Sequence, residues 1–190
     1  MNTPTHLLVS AALLTKPNAT KDNLAVVAGS LTPDLSIYVL FVWARLFASI
    51  DERTLWSQVY WQEPWQTYSA ICNSIPLYLL LLGLGALINQ RLLLLFAASA
   101  LIHMGLDLPF HASDAHQHFW PFSDWRFHSP LSYWDGRHYG GIVSVIEICM
   151  AIVCIALLWR RFKDVWVRAL LMLGLVTYVA VPVYFRLMLG

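Results

Sequence analysis

The stretch RLLLLFAASALIHMGLDLPFHASDAHQHFW, residues 91–120, passes from a membrane-like apolar run into a cluster of ionisable side chains. The apolar part predicts a helix that crosses a bilayer, because it is long and nearly free of charge. The polar part holds four histidines and two aspartates, which are His103, His111, His116, His118, Asp107 and Asp114. Ionisable groups are costly within a membrane, so such a cluster usually marks a functional site.

The composition is typical of a polytopic membrane protein. Of the 190 residues, 58% are hydrophobic and 12% are charged, whereas soluble domains carry about 25% charged residues. The formal net charge of +1 argues against a nucleic-acid-binding protein, which needs a basic face. The three cysteines, Cys72, Cys149 and Cys154, show no CxxC spacing. This pattern argues against a disulfide framework and against a thiolate zinc site.

We expect an all-α fold, a polytopic membrane helical bundle that forms a single domain over residues 1–190. About five apolar segments predict membrane helices, and they lie at residues 24–48, 75–88, 92–108, 142–159 and 165–189. A shorter run at 6–14 predicts a half-inserted helix, and the Trp- and Tyr-rich stretch 49–74 predicts an interfacial loop. Residues 109–140 predict a structured, His-rich loop outside the membrane, which folds over the site as a lid.

The placement of Lys and Arg predicts an orientation in a bacterial inner membrane, because basic residues favour the cytoplasmic side. With RRFK (160–163) in the cytoplasm, the lysines of the 16–21 turn and Arg91 lie on the same side. The segments 49–74 and 109–140 then face the periplasm or the outside.

Several membrane segments carry candidate metal ligands at a similar depth. His103 and Asp107 are four residues apart, which places both on one face of a helix. Asp34 lies in GSLTPDLS within the predicted span 24–48, and Glu147 lies within the predicted span 142–159. His6 begins the short N-terminal run and can approach the same layer. The alternative is that these polar groups only join neighbouring helices or cap their ends.

The polar loop supplies further candidate ligands. His111 follows Asp107 by four residues, and Asp114 and His118 repeat that spacing. Because Pro109 prevents a continuous helix, we expect His111 to turn back over the site. For each of these loop residues the alternative is a solvated side chain without a ligand, and His116 and Asp124 are the weaker candidates.

A cluster of His, Asp and Glu with few Cys is typical of a catalytic metal site rather than a structural zinc site. The predicted metal ligands are His6, Asp34, His103, Asp107, His111, Asp114 and His118. The predicted cofactor is a divalent metal, with zinc favoured and manganese or iron as alternatives. Glu147 or His138 is the predicted general base, and Arg137 is predicted to contact an anionic group of the substrate. The motifs GxSxG, P-loop and HExxH do not occur in the sequence.

Three short motifs give the chain a resemblance to a known family. TH at 5–6, GSLTPD at 29–34 and HMGLD at 103–107 resemble the YdjM-like family of membrane-bound, metal-dependent hydrolases, which is distantly similar to helical zinc-dependent phospholipases C. The resemblance covers about the first 110 residues. It implies metal binding at His6, Asp34, His103 and Asp107. Where that family often has HS before a hydrophobic helix, this chain has NS at 73–74.

These residues favour a membrane-embedded, metal-dependent hydrolase that acts on a phosphoester or another lipid-linked substrate, with the lipid bilayer as its partner and no nucleic acid. Intramembrane Asp34, Glu147 and His103 also fit a small ion- or proton-coupled transporter, with GSLTPDLS as a broken helix. A third hypothesis is a non-catalytic membrane assembly factor whose polar residues only hold helices together.

Overall fold

The computed structural model describes the backbone of residues 1–189 and the side chains of residues 1–176 and 178. Every regular element in this range is helical, which confirms the predicted all-α class. The α-helices within it are α1 (Thr3–Leu14), α2 (Thr20–Leu31), α3 (Leu35–Leu46), α4 (Glu52–Thr54), α5 (Glu63–Cys72), α6 (Ile75–Leu87), α7 (Arg91–Asp107), α8 (Gly140–Arg161) and α9 (Val165–Leu189). A π-helical turn, Leu55–Val59, follows α4.

Three helical stretches of the described chain are long and apolar enough to cross a membrane, namely Glu63–Leu87, Arg91–Phe110 and Gly140–Arg161. They contain three of the segments predicted from the sequence. Helices α2 and α3 pass the same test only as a pair, and they bend by 69° at the break between them. The described residues therefore contain three candidate spans, or four if the bent pair is one span.

Two expectations from the sequence differ from this architecture. Residues 49–74 are not one loop, because α5 occupies 63–72 and leads almost directly into α6. Pro64 lies in the first turn of α5, where its missing N–H is not needed, and the Ser74 hydroxyl caps α6 by accepting from Leu77 N. In the expected span 165–189, the part tested for crossing, Val165–Val176, is a shorter apolar helix; most of the remaining side chains lie outside the described residues.

Helix α1 lies in the interior of the bundle, where it contacts α2, α7 and α8. Leu8 and Ala12 pack with Ala151 and other apolar residues of α8 and α9 in a buried cluster. His6, one turn earlier, is fully buried. The short helix therefore carries a polar side chain into the protein interior rather than toward lipid.

Helices α2 and α7 approach each other closely at Gly29. A Cβ atom at this position would lie 2.1 Å from the carbonyl oxygen of Phe96, so this approach requires glycine. Nearby, the Ser99 hydroxyl donates a 2.7 Å hydrogen bond to the Val26 carbonyl. These contacts hold the last turn of α2 against the face of α7 that carries His103.

Basic residues collect at one end of the bundle, and the His-rich segment closes the other. Arg91 donates to Asp22 at 2.6 Å, and Arg161 donates at 2.9 Å to a carbonyl of the α1–α2 turn. At the opposite end, the N–H of Ile75 donates to the carbonyl of His118 at 2.9 Å. The turns and helix ends that carry the basic residues therefore lie together.

Candidate metal centre

Asp107, the last residue of α7, is the centre of the site and is 1% exposed. Its Oδ1 lies 2.9 Å from His6 Nε2 and 3.1 Å from His111 Nε2. Its Oδ2 lies 3.0 Å from His103 Nε2. The Met1 amino group donates a 2.5 Å hydrogen bond to Oδ1. Three imidazoles and a cationic nitrogen thus surround one buried carboxylate, which is a position that suits positive charge.

His6, His103 and Asp107 form a group that could hold a metal ion, which we term the helical triad. The two imidazole rings stack with their centroids 3.6 Å apart and their planes 8° apart. Both Nε2 atoms are buried, and neither has a hydrogen-bond partner among the described residues. An unpaired buried polar atom costs about 1–3 kcal/mol, which a bond to a metal ion would offset.

Asp107, His111 and His116 form a second such group, the loop triad, whose ligand atoms all lie within 4.8 Å of one another. Burial lowers the pKa of His116 to about 3, so its ring is neutral near pH 7 and keeps a lone pair for a metal. Asp107 belongs to both triads. A shared carboxylate is well placed to bridge two metal ions.

In His103 and His118 a backbone carbonyl oxygen lies beside Nδ1, and this contact determines which ring nitrogen keeps the lone pair. Nδ1 of His103 lies 2.7 Å from the Ser30 carbonyl oxygen, and Nδ1 of His118 lies 3.1 Å from that of Asn73. Because a carbonyl oxygen only accepts, each Nδ1 carries a proton, and a neutral ring keeps its lone pair on Nε2. For His103 this lone pair faces the carboxylate of Asp107. The Nε2 lone pair and the Asp107 carboxylate repel each other unless a proton or a metal ion lies between them. Because Nε2 of His103 has no hydrogen-bond partner among the described residues, a metal ion fits this position better than a proton.

Asp34 lies at the start of α3, yet its carboxylate does not cap that helix. Its Oδ2 accepts from the Thr3 hydroxyl at 2.5 Å, and its Oδ1 lies 3.6 Å from His103 Nε2. The bend between α2 and α3 therefore turns this carboxylate toward the helical triad. Of the predicted metal ligands, the structure brings together His6, Asp34, His103, Asp107 and His111.

Asp114 and His118, also predicted as ligands, lie beside the loop triad and contact its histidines rather than Asp107. Asp114 Oδ2 lies 3.0 Å from Nδ1 of His111. Burial raises the pKa of Asp114, but the hydrogen bond and charge of His111 bring it below its usual value. A carboxylate on the far nitrogen of a metal-binding histidine orients the ring. The His118 ring lies 6.0 Å from that of His116, and the direct coordination by Asp114 and His118 stays a prediction.

The residues predicted to act in catalysis lie outside both triads. Glu147 is 1% exposed, and its carboxylate accepts two hydrogen bonds of 2.8 Å from Asn2. Arg137 and His138 contact the carboxylate of Asp135 at 2.8 and 3.1 Å. Glu147 thus joins α8 to the start of α1, and the other two belong to a separate cluster. Their roles as general base and anion contact stay predictions.

Sequence reasoning missed the role of Asn73. Its amide Nδ2 donates at 3.0 Å to both the Pro33 and the Ser69 carbonyl oxygens, while its own carbonyl accepts from His118. Asn73 therefore braces the turn that precedes Asp34 and links that turn to the loop. The only sequence signal was the pair NS where the resembling family often has HS.

A cavity of about 540 Å³ opens beside His111 and His116 of the loop triad. Half of its lining residues are Trp or Tyr, and they come from two distant segments, with Trp56, Tyr60, Trp61, Tyr133 and Trp134. In the sequence these residues predict only a membrane interface. No spacing signal indicates that residues 56–61 and 133–134 meet, because the tertiary fold alone brings them together.

Comparisons of the chain with protein families, with curated proteins and with solved structures found no significant match. The resemblance to YdjM-like hydrolases therefore stays a prediction.

Proposed function

We propose that this protein is a membrane-embedded, metal-dependent hydrolase that acts on a phosphoester or another lipid-linked substrate. The observation that carries the proposal is the pair of buried Nε2 atoms of His6 and His103, which lie 2.9 and 3.0 Å from the carboxylate of Asp107 without a hydrogen-bond partner in the described chain. Two imidazoles and a carboxylate suit zinc, with manganese or iron as alternatives.

Residues next to the candidate ligands form hydrogen bonds to the histidine rings, as is usual around metal centres. The Ser30 carbonyl holds the ring of His103, and the Asp114 carboxylate holds that of His111. Such partners fix the ring orientation and raise the basicity of the ligating nitrogen. Side chains that only hold helices together do not need several imidazole lone pairs directed at one carboxylate. We therefore favour metal binding over a purely structural role.

A divalent metal at such a site supplies a Lewis acid that polarises a phosphoryl or acyl oxygen and lowers the pKa of bound water. In this proposal His6, His103 and Asp107 hold the first ion, and His111 and His116 share Asp107 for a second. Their side chains come from two helices and one loop, so the folded bundle fixes their relative positions. The neighbouring cavity gives a substrate access to the loop triad, whereas the helical triad lies deeper in the protein.

We also propose that the protein resides in a bacterial inner membrane with the loop 109–140 on the periplasmic side. The support is the clustering of Arg91, Arg161 and the α1–α2 turn at one end of the bundle, since basic residues favour the cytoplasmic face. The loop contacts the first residue of α6 at the opposite end, through the hydrogen bond between Ile75 and His118. Accessibility of a cysteine introduced at Ser123 to an impermeant reagent in intact cells tests this orientation.

Metal content of the detergent-purified chain, measured by elemental mass spectrometry, tests the proposal first. We expect one or two ions of zinc, manganese or iron per wild-type chain and a clear loss in His103→Ala. The matched control is His128→Ala, which removes an exposed imidazole outside both triads. A well-folded wild type that holds no metal after metal is added back would overturn the proposal.

The hydrolase assignment requires a second measurement. Metal-replete protein is incubated with lipid phosphoesters in mixed micelles, and released phosphate or phosphomonoester is quantified. We expect turnover by the wild type and by His128→Ala, and none by His103→Ala. If every lipid phosphoester survives in the presence of metal-loaded wild type, the protein binds metal without being a lipid phosphoester hydrolase.

One observation favours a second candidate, an ion-coupled transporter. Helices α2 and α3 bend by 69° at a short break, and Asp34 lies at the end of that break. Broken helices with polar residues form ion sites in many transporters. Ion uptake by proteoliposomes that disappears in Asp34→Asn would support this candidate, and a lack of uptake for every monovalent and divalent cation tried would remove it.

A further inference from the structure

The cavity beside the loop triad has walls that suit one chemical class of ligand. Trp56 and Tyr60 lie with their ring centroids 6.0 Å apart and their planes inclined by 59°, and Tyr60 and Trp61 meet edge to face at 4.9 Å. On the other side, Tyr133 packs 5.0 Å from His111. Rings inclined to one another enclose a space with several aromatic faces, and such faces attract cations.

The polar groups of the cavity have a matching charge. Asp114 is in the wall, and no Lys or Arg is among the lining residues. Its Oδ2 accepts from Trp134 Nε1 at 3.0 Å, whereas its Oδ1 is buried without a hydrogen-bond partner among the described residues. The wall therefore combines aromatic side chains with the acidic side chain of Asp114.

We propose that this cavity binds a substituted ammonium group, held by the rings of Trp56, Tyr60 and Trp61 and by the carboxylate of Asp114. A small alkylammonium fits a volume of about 540 Å³ with space left for the rest of a substrate. An uncharged group of the same shape would gain less from the aromatic faces and from the charge of Asp114. That the bound cation is part of the hydrolase's substrate rests on the proposed function, whereas the affinity of the cavity for a cation does not.

Calorimetric titration of the purified full chain with choline tests this inference, with 3,3-dimethyl-1-butanol as the uncharged probe of the same shape. The titrations use metal-loaded protein and chelator-treated protein. We expect saturable choline binding and affinity for the alcohol that is lower by about tenfold or more, as removal of a desolvated cation–π contact predicts. We expect the same loss for choline in Trp61→Leu. The matched control Trp166→Leu, an exposed tryptophan on α9, should bind choline as the wild type does.

The outcomes separate the inference from the proposed function. Equal affinity for choline and the uncharged alcohol, or choline binding that Trp61→Leu leaves unchanged, would overturn the assignment of the cavity to a cation. No saturable binding of choline in either form of the wild type would also overturn it. Choline binding by a protein that retains no metal would support the cation site while removing the metal-dependent hydrolase, and metal binding without choline binding would do the reverse.

Discussion

Two clusters of Asp and His within the described residues differ in how their negative charge is balanced. Asp135 is paired with the guanidinium of Arg137, whose side chain is 82% exposed, and with His138. Hydrogen bonds from Arg137 hold the pKa of Asp135 well below its usual value. Asp107 is buried among three imidazoles, two of which direct unpaired nitrogens at it.

The difference shows why residue type alone does not define a metal site. The Asp135 cluster is complete without any further ligand, because the guanidinium of Arg137 gives this buried carboxylate a fixed positive partner. The buried cluster directs the Nε2 atoms of His6 and His103 at a carboxylate that the Met1 amino group also contacts, and a bound metal ion would give those two nitrogens a partner. Substitutions that act on one cluster and not on the other test this interpretation.

The largest effect is expected for Asp107→Asn. Loss of the carboxylate removes a ligand from both triads, so metal affinity should fall by more than the roughly 10–100-fold that outer partners contribute. Asp135→Asn, the matched change in the Asp135 cluster, should leave metal content unchanged. Elemental mass spectrometry of the two variants, with helicity by circular dichroism as the folding control, measures both. Equal metal loss in the two variants would contradict the comparison.

A smaller effect is expected for Asp114→Asn. The carboxylate lies 3.0 Å from Nδ1 of His111, and its removal weakens the orientation of that ring. We expect metal affinity at the loop triad to fall by about 10-fold, with the helical triad still loaded. Competition with a chromogenic chelator resolves the two affinities. If Asp114→Asn empties both positions, then the loop triad is not a separate site.

Of these changes, Gly29→Ala is expected to lower metal affinity least. Its main effect is expected on the stability of the fold. The new Cβ would overlap the Phe96 carbonyl, which lies 2.1 Å from its ideal position. Overpacking of this kind costs about 1–3 kcal/mol, and the resulting shift of α2 moves the Ser30 carbonyl away from His103. Thermal unfolding in detergent measures the loss.

The matched control for this change is Gly83→Ala, because a Cβ at Gly83 meets no atom within 4 Å. This variant should be as stable as the wild type or slightly more stable, since alanine favours a helix. If Gly29→Ala also unfolds at the wild-type temperature and keeps full metal affinity, the close approach of α2 and α7 does not position His103.

Much of the site could be predicted from the sequence. The i, i+4 spacing of His103 and Asp107 places both on one helix face, and Pro109 ends that helix so that His111 can turn back. Both features are local, and the structure has them. The convergence of His6 and Asp34 on the same point could be expected only from membrane depth, because no local rule fixes how α1 packs against α2 and α7.

Other parts of the prediction failed for physical reasons. Residues 49–74 were expected to be a loop because their Trp and Tyr suit an interface, yet 63–72 form a helix that begins at a proline. The role of Glu147 as a general base stays a prediction, and in the structure its buried carboxylate accepts from two N–H groups of Asn2. The partners of such a group depend on tertiary packing and not on its own sequence context.

The sequence by itself determined the all-α class, the candidate spans that contain α6, α7 and α8, and the presence of His and Asp side chains that could hold a metal at the end of one such span, because hydrophobic length and helical periodicity are local properties. Only the tertiary structure decided that His6 stacks on His103, that Asp107 is shared by two triads, and that Trp56 and Tyr133 enclose one cavity. These contacts join residues far apart in the chain, and their geometry is set by close packing such as that at Gly29.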